Sequence, residues 1–367
     1  MPSLDTPTSR RSHARRMLHV LASPYFRYRH AKLLHALRVS LAMLASIALT
    51  SGIDIPHGVW ASVTLLVVIG GLQHHGNIRK KAAERALGTL LGASFGLTLI
   101  IVQSVLGSLM LTFLLMSAIA GACAYYAIGK AGYVALLTAI TMVIVAGHGD
   151  LPIDVGLWRT ANVLIGIVIA LGFSFVLPLY ATYSWRYRLA DNMRECARLY
   201  ASIIEGRPID PDELTQRFLV MSRRLVQSRS LMESVAKEID VPAAALDEIQ
   251  RLHRSILAAL EMLASSGPLD AHMAPDEKAA CTAEERAVRQ TLLLMARALR
   301  FGRVGLLHAA AYTLDVKPGM DAAHPDPDAH GMHWLAIRLA EQVNRLRLRL
   351  IEIERHWNIE GAQPFFR

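Results

Sequence analysis

Acid is scarce in the first half of this chain. Residues 1–190 hold 5 Asp/Glu against 16 Lys/Arg, whereas residues 191–367 hold 25 against 23, so the net charge of +9 originates in the first half. A basic excess confined to an apolar region is poorly explained by nucleic-acid binding, and no nucleic-acid partner is expected. Cysteine is scarce as well. Cys123, Cys196 and Cys281 show neither CxxC nor disulfide spacing, which argues against a disulfide scaffold and against a thiolate metal site. Strand-like alternation is missing, and so are the Walker A, GxSxG, HExxH and GxGxxG patterns. Those absences leave no sign of catalysis or of ATP-driven transport, and no metal or cofactor is expected. The first 32 residues are Arg-rich and have no apolar core long enough for a cleavable signal peptide.

What the chain has in quantity is apolar sequence. Of its 367 residues 53% are hydrophobic and 19% charged, a balance that fits partial burial in a bilayer. Apolar runs fall near 33–52, 57–72, 84–103, 107–128, 132–147 and 157–177, most of them long enough for a hydrocarbon core of about 30 Å, with the second and fifth short. Lys and Arg cluster in the first tail (Arg10 to Lys32), in Arg79-Lys80-Lys81, at Lys130, and at Arg186 and Arg188, while the three intervening loops carry none. Six crossings with both termini cytoplasmic satisfy that distribution. The expected organisation is a basic cytoplasmic segment over 1–32, a six-helix transmembrane domain over 33–180, and a cytoplasmic α-helical domain over 181–367. In that last part, helical patterns run near 186–206, 211–239, 243–265, 277–314 and 332–357. Tyr180, Tyr183, Trp185 and Tyr187 read as an aromatic exit from the bilayer. Asp210-Pro211-Asp212-Glu213 reads as a capped helix start.

One motif occurs twice. Arg85-Ala-Leu-Gly88-Thr-Leu-Leu-Gly92-Ala-Ser-Phe-Gly96 is echoed 74 residues later by Arg159-Thr-Ala-Asn162-Val-Leu-Ile-Gly166-Ile-Val-Ile-Ala170. A cation inside an apolar segment is costly and usually has a use. Two blocks of three crossings, about 33–103 and 107–177, place the second inverted relative to the first. Arg85 then enters from the cytoplasmic side and Arg159 from the outer side. Gly88, Gly92, Gly96 and Gly166 read as helix-packing positions. For Arg85 and Arg159 the plain alternative is snorkelling to headgroups, and the functional reading is an anion path. Arg38 is a third candidate with the same alternative. Trp60 reads either as an interfacial anchor or as a surface for an aromatic substrate.

Other groups have weaker patterns. Asp54, Asp150 and Asp154, with His57 and His148, gather in the outer loops, where groups titrating near neutral pH can couple proton movement to transport. Glu84 reads as pairing with the neighbouring Arg79, Lys80 or Lys81. The run His324 to His333 lacks fixed ligand spacing and reads as a connector, not a metal loop. Arg217, Arg223, Arg224 and Arg229 read as a solvated helix face.

Trp60-Ala-Ser-Val-Thr, the basic loop leading to Arg85-Ala-Leu-Gly-Thr-Leu-Leu-Gly, and Arg159 through Gly166 to Leu177-Pro178 resemble the fusaric-acid-resistance-like family. That family belongs to the aromatic acid exporter superfamily and is related to the plant aluminium-activated malate transporters. The resemblance implies an inner-membrane protein with six crossings and a cytoplasmic helical domain that moves organic anions. It also implies a dimer, with basic residues of the third and sixth crossings lining the path, here Arg85 and Arg159. Many bacterial relatives carry two membrane blocks, so the single block here points to a homodimer. Asn162 stands where the first repeat has Gly88, so the sixth crossing is expected to pack less closely or to place Asn162 in the path.

The expectation is therefore an all-α inner-membrane protein, not an enzyme, that transports organic, including aromatic, carboxylates. Its substrate-binding candidates are Arg85, Arg159, Trp60, Asn162 and Arg38. The competing reading is a membrane-anchored helical scaffold or sensor through which nothing passes.

Overall fold

The computed structural model describes residues 24–70, 75–129, 131–147, 152–176, 178–207, 209–265, 275–310 and 327–358. Among them every regular element is a helix. They divide into two compact units, Met1–Leu179 and Tyr180–Arg367.

The first unit runs α1 (Pro24–Arg29), α2 (Ala31–Gly52), α3 (Val59–Ile69), α4 (His75–Leu106), α5 (Leu109–Ala127), α6 (Gly132–Ala146) and α7 (Ile153–Val176). Four are long and apolar enough to cross a membrane: α2, α4 over Lys80–Leu106, α5 and α7. The other two have 11 and 15 residues. At 1.5 Å per residue they span about 17 and 22 Å, short of a hydrocarbon core of about 30 Å. The sequence pattern expects six crossings, and the structure provides four of spanning length with two shorter apolar helices between them. Chain geometry shortens α3. It starts after a turn in which Asp54 and His57 take φ of 54° and 58° around Pro56, and it stops at the Gly70 bend.

The helix α2 shows what solvates this unit. It buries Arg38, Ala42, Ser46 and Thr50, every fourth residue, and turns Leu33, Leu37, Leu41, Leu44 and Ile47 outward. A helix bathed in water does the reverse. Polar and small residues inside with leucine outside suit lipid. Ser46 Oγ and Ser62 Oγ, 3.0 Å apart, tie this face to α3.

Packing is pairwise. α4 lies along α6, α3 lies along α7, and α4 also meets α7; α2 rests on α3 and α7, and α5 on α6 and α4. Gly88 faces Val134 and Leu137, Gly92 faces Thr138 and Thr141, and Gly96 faces Val145, so α4 and α6 run parallel. Gly156 abuts Ile100, while Ala82 clusters with Val163, Ile167 and Ala170. Helices α4 and α7 are therefore antiparallel.

The second unit is built around α8 (Ala181–Ile204), which contacts α9 (Pro211–Arg229), α10 (Met232–Ile239), α11 (Ala243–Ser265) and α12 (Pro275–Phe301). A short α13 (Gly305–Ala309), then α14 (Pro327–Glu352) and α15 (Glu354–Trp357), complete it. α8 buries residues on nearly all sides, including Trp185, Leu189, Met193, Cys196 and Tyr200. Its first amides are capped from another helix: Glu238 accepts from Ala181 N and Thr182 N, each at 2.9 Å. Asp210 caps α9 by accepting from Glu213 N at 3.1 Å, as its sequence suggests.

Several boundaries differ from expectation. The pattern over 211–239 is two helices, parted at Ser230-Leu231. That over 277–314 breaks at Gly302, whose φ of 64° ends the helix. The expected connector before 332 is helical from Pro327. Tyr183, Trp185 and Tyr187 are not an aromatic exit belt: they are 7%, 1% and 4% exposed within the second unit.

Candidate functional site

Two glycine seams position the arginines. A Cβ on Gly92 would sit 2.5 Å from Thr138 O and 2.7 Å from Thr141 Cβ; a Cβ on Gly166 would sit 2.3 Å from Ala61 O and 3.0 Å from Thr64 Cβ. Each glycine thus meets a carbonyl and, three residues further along the partner helix, a threonine. Only a missing side chain permits that approach. Arg85 precedes Gly92 by seven residues and Arg159 precedes Gly166 by seven, so each arginine sits two turns from the matching glycine. Taking Gly156 as level with Ile100, the two arginines lie about 18 Å apart along the bundle at 1.5 Å per residue.

Arg85 is 3% exposed. Its Nε is buried without a hydrogen-bond partner, and no described carboxylate forms an ion pair with it. The phenol of Tyr133, at the start of α6, is its electrostatic neighbour. Arg159 donates from Nη1 to the Ile144 carbonyl, its Nε has no partner, and its guanidinium carbon stands 5.8 Å from the centre of the Trp60 ring. This contact gives Trp60 a specific neighbour inside the unit.

Asn162 is fully buried. Its Nδ2 donates to Pro56 O and to Trp158 O, both at 2.8 Å, while Oδ1 has no partner. It thereby fastens α7 to the turn before α3, in the place where Gly88 lets α4 touch α6. Arg38 is fully buried too, with Nη2 2.9 Å from His35 Nδ1; His35 Nε2 is 3.2 Å from Gly70 O. The proton-coupling candidates do not converge on these groups: Asp54, His57 and Asp154 are exposed, and His148 and Asp150 lie outside the described residues.

Three groups that the sequence does not single out belong to the same region. The hydroxyls of Thr64, Thr89 and Thr141 are buried without a partner. The usable sequence signal was a second echo, 77 residues apart, in which Thr64 and Thr141 occupy matching places of the two short helices.

Chemically, the first unit holds buried guanidinium charge and unpaired donors with no described carboxylate to neutralise Arg85. A buried cation without a counter-charge costs several kcal/mol, and an arriving carboxylate relieves that cost. Among the described residues no group of three or more His, Cys, Asp or Glu is arranged to hold a metal. In the second unit, the helix face carrying Arg217, Arg223, Arg224 and Arg229 is partly paired: Arg217 bonds to Glu213 and lies 3.5 Å from Glu195, and Arg224 Nη1 reaches Asn192 Oδ1 at 3.4 Å.

The profile of the fusaric acid resistance protein family matches residues 32–358. The inner membrane protein YeeA of Escherichia coli strain K12 is 32% identical over 235 residues, which is 64% of this chain. The match spans 66% of that relative, just under two thirds of its length. Together with four helices of spanning length, these matches make the chain a multi-pass membrane protein.

Proposed function

The chain belongs to the fusaric acid resistance protein family, and from that premise we propose that it carries organic, including aromatic, carboxylate anions across the inner membrane, without converting them. Arg85 and Arg159 supply the positive potential at the two ends of the path. One observation carries this reading: Arg85 is buried in an apolar bundle, has an unpartnered Nε and forms no ion pair with a described carboxylate. Such a group is complementary to an anion that arrives from outside the protein.

The bundle's symmetry supports a two-sided path. Among these six helices, exchanging α2 with α5, α3 with α6 and α4 with α7 leaves the set of contacting pairs unchanged. Because α4 and α7 are antiparallel, an axis relating them lies across the helices, as in an inverted repeat. Arg85 then opens toward one membrane face and Arg159 toward the other. With the loop charges placing both termini in the cytoplasm, the second unit is the cytoplasmic domain, and a homodimer is the working assembly.

The test is flux of an aromatic carboxylate such as benzoate in vesicles containing the purified full chain. Arg85→Ala and Arg159→Ala are each expected to reduce flux by about tenfold or more, the value of one charge-assisted hydrogen bond. Folded variants that transport at the wild-type rate overturn the proposal.

A further inference from the structure

Several hydroxyls in the first unit, buried and exposed alike, are satisfied within their own helix. Thr50 bonds Ser46 O at 2.8 Å, Thr98 bonds Ser94 O at 2.8 Å, Thr138 bonds Val134 O at 2.9 Å, Thr160 bonds Gly156 O at 2.9 Å, and Ser174 bonds Ala170 O at 2.7 Å. This bond to the carbonyl four residues back is the default for threonine in an apolar helix. Thr64, Thr89 and Thr141 do not make it. All three are fully buried, and their Oγ1 atoms have no hydrogen-bond partner. An unmade bond at such a place is expensive, so three of them in one bundle call for a ligand.

Their positions are specific. Thr89 follows Arg85 by four residues on the same face of α4. Thr141 meets α4 at Gly92, and Thr64 meets α7 at Gly166. Gly92 lies about 10 Å along α4 from Arg85, and Gly166 about 10 Å along α7 from Arg159, on helices that run in opposite directions. The three hydroxyls therefore occupy the stretch between the two arginines. Neither guanidinium reaches the middle of a gap of about 18 Å, and a carboxylate there would have shed its water with no donor to replace it.

We propose that Thr64, Thr89 and Thr141 form an uncharged relay, whose hydroxyls donate to a dehydrated carboxylate as it passes between Arg85 and Arg159. The inference rests on the anion-path reading and adds three substrate-contacting residues to it. A hydroxyl is suited to this place because it donates without holding a charge: a third arginine would trap the anion, and an apolar wall would reject it. Asn162 Oδ1, also unpartnered, is an acceptor and has no part in the relay.

Valine replaces threonine at nearly equal volume and puts a methyl group where the hydroxyl was. Benzoate flux in vesicles is expected to fall by about fivefold in Thr64→Val and in Thr141→Val, one neutral hydrogen bond each, and further in the double variant. Thr64→Ser and Thr141→Ser, which keep the donor, retain most of the flux. Thermal stability in detergent stays at the wild-type value in the valine variants, because no protein group loses a partner. Wild-type flux in the valine variants, or a drop in their stability that tracks the drop in flux, overturns the relay. Arg85→Ala, measured alongside, separates the two readings. If it abolishes flux while the valine variants transport normally, the path stands and the relay falls. If it too transports normally, the path itself is wrong.

Discussion

Burial of an arginine means different things at different places in this chain. Arg186 in the second unit is as deeply buried as Arg85, yet it is occupied. Its Nε donates to Leu299 O at 3.0 Å, its Nη1 reaches Trp357 O at 3.4 Å, and its guanidinium lies 5.3 Å from the Trp357 ring. It is a structural clamp holding the end of the unit to α8. Replacing it strands two buried carbonyls and opens a void, so Arg186→Leu is expected to cost roughly 2–4 kcal/mol. Arg85→Leu removes a buried charge that has no counter-charge, and is expected to leave stability unchanged or raise it while flux is lost. Denaturation of the two variants in detergent checks this, and equal losses would put Arg85 in the structural class. The sequence made Arg85 and Arg159 visible because charge stands out in an apolar run. It hid the threonines, because one that bonds its own helix and one that does not are the same letter. It misplaced Arg186, counted among the loop charges, since residues ten positions past a crossing look alike whether they meet headgroups or a protein core.

At the scale of elements, the two seams depend on the absence of a side chain at two positions, which gives them a sharp control. Gly92→Ala and Gly166→Ala drive a Cβ to within 2.5 and 2.3 Å of a backbone oxygen. Backbone cannot move aside as a side-chain tip can, and each substitution is expected to destabilise by about 2 kcal/mol or more. Gly121→Ala in α5 and Gly172→Ala in α7 meet nothing within 4 Å, and are expected to be neutral or stabilising by up to about 1 kcal/mol from helix propensity alone. Melting temperatures of the four variants decide it: if all four behave alike, the seams are not tight contacts. Helix existence and type were readable from apolar runs and helical periodicity, and the cap at Asp210 from the residues Asp210-Pro211-Asp212-Glu213. The breaks at Ser230-Leu231 and Gly302 were not, because a single bend leaves the hydrophobic period almost intact on either side. The partner of each seam was also out of reach, since a glycine shows that something approaches closely but not which helix does so.

At the scale of the whole molecule, the two units have separate cores, and the second carries a group that makes it sensitive to acid. In the second unit His253 is 1% exposed, and its Nε2 lies 3.0 Å from Asn192 Nδ2. The amide also donates to Met221 O at 2.9 Å, so Nε2 is the acceptor and the ring is neutral. Burial pushes the imidazole pKa down to about 3. An unfolded chain takes up this proton near pH 6.5, while the folded one resists until about pH 3. The unfolded state binds more protons throughout that window, so stability is complete above pH 6.5 and is lost as pH falls, by about 1.4 kcal/mol per unit. Acidifying from pH 6.5 to 5 is expected to cost the second unit about 2 kcal/mol from this residue alone. Trp185 and Trp357 report that unit, and fluorescence melts of the full chain across the window measure the effect. His253→Leu cannot take up the proton: its melting is expected to begin lower, because Asn192 loses an acceptor, but to fall less steeply with acid. The difference in slope between wild type and variant isolates this group from every other titrating residue, and equal slopes would mean that His253 is protonated as readily folded as unfolded.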